Sequence, residues 1–207
     1  MPLPPQTMRA QHLGFLASHG GSNMQAIVDA CRDGRLSAEP SVVIGNNSGS
    51  SALARARREG IPAYHLSGKT HPVPEELDSA ILDALQRHEV SLVVLAGYMR
   101  LLGPKTLAAY RDRVLNIHPA LLPRFGGKRL YGPAVHEAVL AAGDRVTGVT
   151  VHVVDEQFDS GPILAQVSVP VEDGDTVDSL AARVLIQEHL LFVETLRRIE
   201  TGELELL

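Results

Sequence analysis

The chain has 207 residues, 44% of them hydrophobic and 21% charged, which fits one sizeable globular α/β domain with a core of its own. A formal net charge of −5, with no polybasic run, argues against nucleic acid as the main partner and leaves any phosphate recognition to a local loop. Aromatic residues make up only 4% and Trp is absent, so the core must be built from Leu, Val, Ile and Ala, the usual filling of a parallel sheet covered by helices.

The opening residues Met1-Pro2-Leu3-Pro4-Pro5 place prolines where a signal peptide would carry an apolar helix, and no later run approaches about 18 apolar residues. Residues 1–10 therefore read as a flexible extension ahead of a single domain at 11–207, in a cytoplasmic protein that touches no membrane. Leu13 to Ala17 is a short apolar strand, followed by a glycine loop and then by Met24, Ile27, Val28 and Ala30 at helical spacing. Cys31, in that helix, is the only cysteine, which excludes an intrachain disulfide and a thiolate zinc cluster and agrees with a reducing compartment.

Ser41 to Gly45 opens a second strand, Asn46 to Ser50 supplies turn and cap residues, and a helix runs from Ala52 to Glu59 before Gly60 closes it. A third strand at 61–66 leads through a loop to a helix at 75–88 with apolar Leu77, Ile81 and Leu85. Ser91 to Gly97 is continuous and apolar, as a strand covered on both faces should be. A short helix at 104–110 then precedes a strand ending in Leu115-Asn116-Ile117. Strands alternating with helices predict a doubly wound, mostly parallel sheet. The late strands at 147–154 and 163–169 lie close in sequence and read as antiparallel additions, and 176–199 as a long closing helix.

Ligands of such a sheet bind beyond the carboxyl ends of its strands, where strand order reverses. The loops after the first, fourth and fifth strands are expected to converge there. Gly20-Gly21-Ser22-Asn23 stands at a helix N-terminus, where free N–H groups favour a phosphate. It lacks both the Walker lysine and the G-x-G-x-x-G spacing, so a glycine turn with a Ser cap explains it equally well. Asn116 and His118, two apart on a strand, point the same way and could hold a reacting carbonyl, and Pro119 should stop the strand with the imidazole at its end. Packing at a strand end is the alternative. Asp155 to Pro162 is either a solvated turn or the source of a carboxylate.

Asn, His and a loop carboxylate together suit acyl transfer without a protein nucleophile. The carboxylate would raise the pKa of His118, letting it donate to a developing oxyanion that Asn116 also holds. Gly-x-Ser-x-Gly is absent, so covalent catalysis is not expected. His12, His19, His65, His71, His88, His136, His152 and His189 show no metal-ligand spacing, so no metal is expected, and most read as surface or packing residues.

With these motifs in place, the chain resembles the formyltransferase family over about Leu13 to Ile199, and within it the phosphoribosylglycinamide formyltransferases. The resemblance rests on Ser18 to Gln25, Leu95 to Arg100, Asn116 to Pro123, Gly148 to His152 and Asp155 to Pro162. It implies that 10-formyltetrahydrofolate, as cosubstrate, gives its formyl group to the amine of glycinamide ribonucleotide. By resemblance His118 is the proton donor, Asn116 the oxyanion partner and Asp159 the carboxylate that keeps His118 charged. Gly21, Ser22 and Asn23 match the phosphate positions, and Glu188 matches the sugar contact. Met99, Arg100, Leu101 and Leu102, with Asn116 and Asp155, Glu156, Gln157, Phe158 and Asp159, match the surroundings of the pterin.

Two positions depart from the pattern. Leu185 stands where many relatives carry a polar residue toward the nucleotide, and Lys69 is the nearest substitute for an arginine at the folate tail. His136 is either part of the substrate wall or the start of the next helix. The partners implied are small molecules, with the chain a monomer or homodimer. The alternatives are a formyltetrahydrofolate hydrolase, which usually has an added N-terminal regulatory domain, an initiator-tRNA formylase, which has a basic C-terminal one, and a non-catalytic binder, which would be expected to lose Asn116, His118 or Asp159.

Overall fold

In the computed structural model, which describes residues 11–128 and 130–206, the chain winds outward from its first strand in both directions. The extension expected at residues 1–10 lies outside the described residues. β1 (His12–Ala17) is followed by α1 (Ser22–Arg32), β2 (Glu39–Gly45), α2 (Ser51–Arg58), β3 (Ala63–His65), α3 (Pro74–Arg87) and β4 (Leu92–Leu95). Then come α4 (Pro104–Ala109), β5 (Val114–His118), α5 (Pro133–Ala141), β6 (Val146–Val153), β7 (Ile163–Pro170) and α6 (Val177–Glu200). The sheet has seven strands in the order β3-β2-β1-β4-β5-β6-β7. The first five are parallel, and β6 and β7 are added antiparallel.

Alternation along the strands divides the core in two. Leu13, Phe15, Val94, Leu115 and Ile117 face one side, packed with Met24, Leu53, Val139, Leu180 and Phe192 from α1, α2, α5 and α6. Leu16, Ile44, Val93 and Val114 face the other, against Ile81, Leu85 and Tyr110 around α3 and α4. Phe15, Leu16, Leu85 and Leu115 are wholly buried, each contributing roughly 1.5–3 kcal/mol by removal from water.

Strand order reverses between β1 and β4, and the loops leaving these strands are tied together there. Ser18 N–H donates to the Gly97 carbonyl at 3.0 Å. The Ser18 hydroxyl in turn accepts from Met99 N–H at 2.9 Å. At the far end of this loop, α4 has no capping side chain of its own because its N-cap is Gly103. Asp78, buried on α3, fills the role by accepting from Lys105 N–H (2.8 Å), Thr106 N–H (3.1 Å) and the Thr106 hydroxyl (2.6 Å). Asp78→Ala leaves those donors unpaired and is expected to cost about 1–3 kcal/mol. The thermal midpoint should fall by roughly 3–10 °C, measured by calorimetry, and an unchanged midpoint would rule the cap out as a stabilising element.

The expected elements are present with adjusted ends. β3 is shorter than 61–66, its pairing with β2 beginning only after Pro62, which has no N–H to give. β4 stops before Gly97, whose φ of 76° turns the chain out of the sheet. A helix does start near His136, but three residues earlier, at Pro133, whose fixed φ suits the first turn. Among the described residues no helix is long and apolar enough to cross a membrane.

Candidate active site

β5 ends at His118, and the antiparallel register of β6 sets His152 directly opposite Asn116 and Thr150 opposite His118. Asn116 and His118 share the strand face of Val114, so the amide and the two imidazoles cluster at one end of the sheet. The Val153 carbonyl lies 2.9 Å from His152 Nδ1. A carbonyl only accepts, so Nδ1 carries the proton and Nε2 is left as an acceptor. Asn116 Nδ2 donates to that Nε2 at 3.0 Å, which fixes the rotation of the amide and leaves its second N–H free. By the same logic His118 Nε2 carries a proton, held by the Phe125 carbonyl at 2.8 Å.

Asp159 comes from the loop after β6 with a φ of 55°. One carboxylate oxygen lies 3.5 Å from His118 Nδ1 and accepts from Gly127 N–H at 2.9 Å. The other lies 3.5 Å from His152 Nε2. The loop closes through Val153 N–H and the Pro162 carbonyl at 2.9 Å, and Gly161 packs so tightly on the Val153 carbonyl that a Cβ would overlap it. Asp155 accepts from Gln157 N–H and from the Ser160 hydroxyl, so its work is to shape the turn. Gln157, Phe158 and Asp159 line the cleft, whereas Asp155 and exposed Glu156 do not.

His118 is only 3% exposed. Burial pushes its pKa below the ordinary imidazole value, and the Asp159 charge recovers only part of the shift. This corrects the expected rise: the site carries a neutral imidazole near neutral pH. Burial pushes the Asp159 carboxyl up, but once His152 and His118 are protonated the hydrogen bond from His152, the His118 charge and Gly127 N–H outweigh it and leave it lower than usual.

At the N-terminus of α1, Gly21 has a φ of 67°, and a Cβ there would come within 2.7 Å of the Ala52 Cβ. Ser22 opens the helix. Arg55 donates to the Gly20 carbonyl at 3.2 Å and brings a guanidinium beside the loop, a neighbour 35 residues away that sequence reading missed. The Asn23 side chain turns away from the loop, donating to Glu188 on α6 at 2.6 Å. Burial pushes the Glu188 carboxyl up, opposed by that bond. Asn23 and Glu188 therefore share the cleft with Asn116 and His118, while Gly21 and Ser22 lie outside its lining.

The cleft measures ≈ 400 Å³ and is walled on its apolar side by Leu95, Tyr98, Leu102, Val154 and Phe158, with Met99, Arg100 and Leu101 beside them. Leu101 and Phe158 are 50% and 39% exposed, large apolar side chains at one site. A neighbouring cavity of ≈ 740 Å³ shares Tyr98, Arg100 and Leu101 with the cleft and adds Lys69 and His65. His152 and His136, read as packing residues or left open, both line the cleft. The alternation of Val149, Val151 and Val153 against Thr150 and His152 was the available signal for His152.

The switch-point cleft of this doubly wound sheet thus joins a strand-borne Asn-x-His to an antiparallel imidazole and a loop carboxylate. The family model described as formyl transferase matches residues 12–196, and the chain belongs to that family. It is 36% identical to phosphoribosylglycinamide formyltransferase of Escherichia coli strain K12, over 92% of this chain and 88% of that protein. It is 44% identical to the chloroplastic phosphoribosylglycinamide formyltransferase of Vigna unguiculata over 91% of this chain, and spans 60% of that relative's length. The crystal structure of glycinamide ribonucleotide transformylase 1 from Symbiobacterium toebii superposes with a TM-score of 0.87 at 41% identity, covering 93% of this chain and 89% of that one.

Proposed function

We propose that the protein transfers the formyl group of 10-formyltetrahydrofolate directly to the amine of glycinamide ribonucleotide, releasing formylglycinamide ribonucleotide and tetrahydrofolate. The observation that carries this reading is the linked set Asn116, His152, Asp159 and His118 in a member of the formyl transferase family. The free N–H of Asn116 would hold the formyl oxygen as the amine adds. In its protonated form, with Asp159 facing the second ring proton at Nδ1, His118 would hand the formyl oxygen the Nε2 proton that the Phe125 carbonyl now holds. As the carbonyl reforms that proton returns to His118, the added amine gives its own proton to the folate nitrogen, and the bond from the formyl carbon to that nitrogen breaks. His152 serves by aiming the Asn116 amide. Gly21 and Ser22, with the charge of Arg55, suit the nucleotide phosphate, and Glu188 suits the sugar.

The apolar wall fits a flat heteroaromatic ring, and the adjoining cavity with Lys69 and Arg100 fits its anionic tail. Cys31 does not compete as a nucleophile, because burial, reinforced by Glu200 and Asp33, pushes its thiol up to about 12. A single cysteine and a reduced folate both suit the cytoplasm. Tetrahydrofolate formation should depend on added glycinamide ribonucleotide. Equal release with water alone as acceptor would replace this reading with hydrolysis.

A further inference from the structure

Three helices on one face of the sheet, α1, α5 and α6, each send one polar side chain into the cleft: Asn23, His136 and Glu188. Two of these have hydrogen-bonding atoms with nothing to bind. Asn23 Oδ1 and His136 Nδ1 are shut off from solvent and have no partner among the described residues. His136 is only 4% exposed, and among the described residues neither of its ring nitrogens makes a hydrogen bond. A buried imidazole nitrogen with no partner has lost its water and gained no bond in return, so it destabilises the free protein. Apolar Val135 and Val139, beside it on α5, show what the helix needs for packing alone.

The two walls of the cleft differ in kind. The segment Met99 to Leu102 after β4, with Val154 and Phe158, supplies a largely apolar surface. The α1, α5 and α6 wall instead supplies an unpaired carboxamide oxygen, a carboxyl group and an imidazole. Burial holds the His136 pKa below the ordinary imidazole value, and His118 lowers it further whenever that ring is protonated, so neutral His136 offers one donor and one acceptor. An acceptor-rich wall of this composition matches a ligand with hydroxyl and amine donors, not a flat ring.

We infer that His136 is a specificity-determining contact to the formyl acceptor, binding a polar group of the ribosyl-glycinamide alongside Asn23 and Glu188 and leaving the folate untouched. The inference rests on the function proposed above and adds a residue to its acceptor side.

The test measures steady-state kinetics and thermal midpoints of wild type, His136→Leu and His136→Asn with glycinamide ribonucleotide and 10-formyltetrahydrofolate. His136→Leu should raise KM for glycinamide ribonucleotide about tenfold or more, with KM for the folate changed less than twofold. Its midpoint without substrate should equal or exceed that of wild type, because the orphaned nitrogen is gone. His136→Asn, which keeps a donor and an acceptor, should recover part of the loss. An unchanged KM for the nucleotide, an equal rise for both substrates, or a lowered midpoint with no selective KM effect would overturn the inference. Absence of nucleotide-dependent turnover in the wild type would instead overturn the proposed function and this contact with it.

Discussion

His118→Ala is expected to slow formyl transfer by about 100- to 10,000-fold while the protein stays folded, because the variant loses its proton donor but no element of the sheet. The imidazole ends β5 and holds no other strand, its one hydrogen bond going to the Phe125 carbonyl in the next loop. The loss should fall on turnover at saturating substrates and leave KM values within a few-fold, since the ring acts on charge that develops in the transition state. Stopped assays under saturating conditions, with circular dichroism as the control for folding, check this. A drop smaller than tenfold would remove His118 from the chemistry.

Asp159→Asn should cost about 100-fold or more and also move the pH profile. Burial already lowers the His118 pKa, and Asp159 supplies the main opposing attraction. Without that carboxylate the imidazolium is disfavoured further. Activity that needs protonated His118 falls as pH rises through its depressed pKa, so the falling limb of the profile should shift toward acid in the variant. The same residues set a stability dependence of known sign. A histidine whose folded pKa lies below its unfolded value, about 6.5, binds protons better when unfolded, so stability drops as pH falls below that value. His136 and His189, lowered first by burial as well, add to this acid lability. An Asp159→Asn profile that coincides with wild type would show that the carboxylate does not govern His118.

How far the sequence could be read follows from which interactions are local. The apolar runs that became β1, β4 and β5, the antiparallel late strands and the long α6 were evident from pattern, because burial on both faces or one leaves a direct mark on composition. The pairing of Asn116 with His118 was evident from spacing alone. His152 was not, since its contact with Asn116 spans 36 residues and depends on strand register, which residue patterning leaves open. The acidic loop by itself reads equally as a solvated turn, and only the resemblance singles out Asp159, whose positive φ carries it to the imidazoles while Asp155 braces the turn. The direction of the His118 shift was misjudged because charge can be read from residue type whereas depth of burial cannot.

The segment between β4 and α4 is held at both ends, by Ser18 at its start and by Asp78 at its finish, each from a different part of the chain. That wall of the cleft is a finished mould before any ligand arrives. A flat ring sliding against it orders little backbone on entry, so more of the contact energy remains as affinity. On the function proposed above, loosening either anchor would therefore weaken folate binding from a distance.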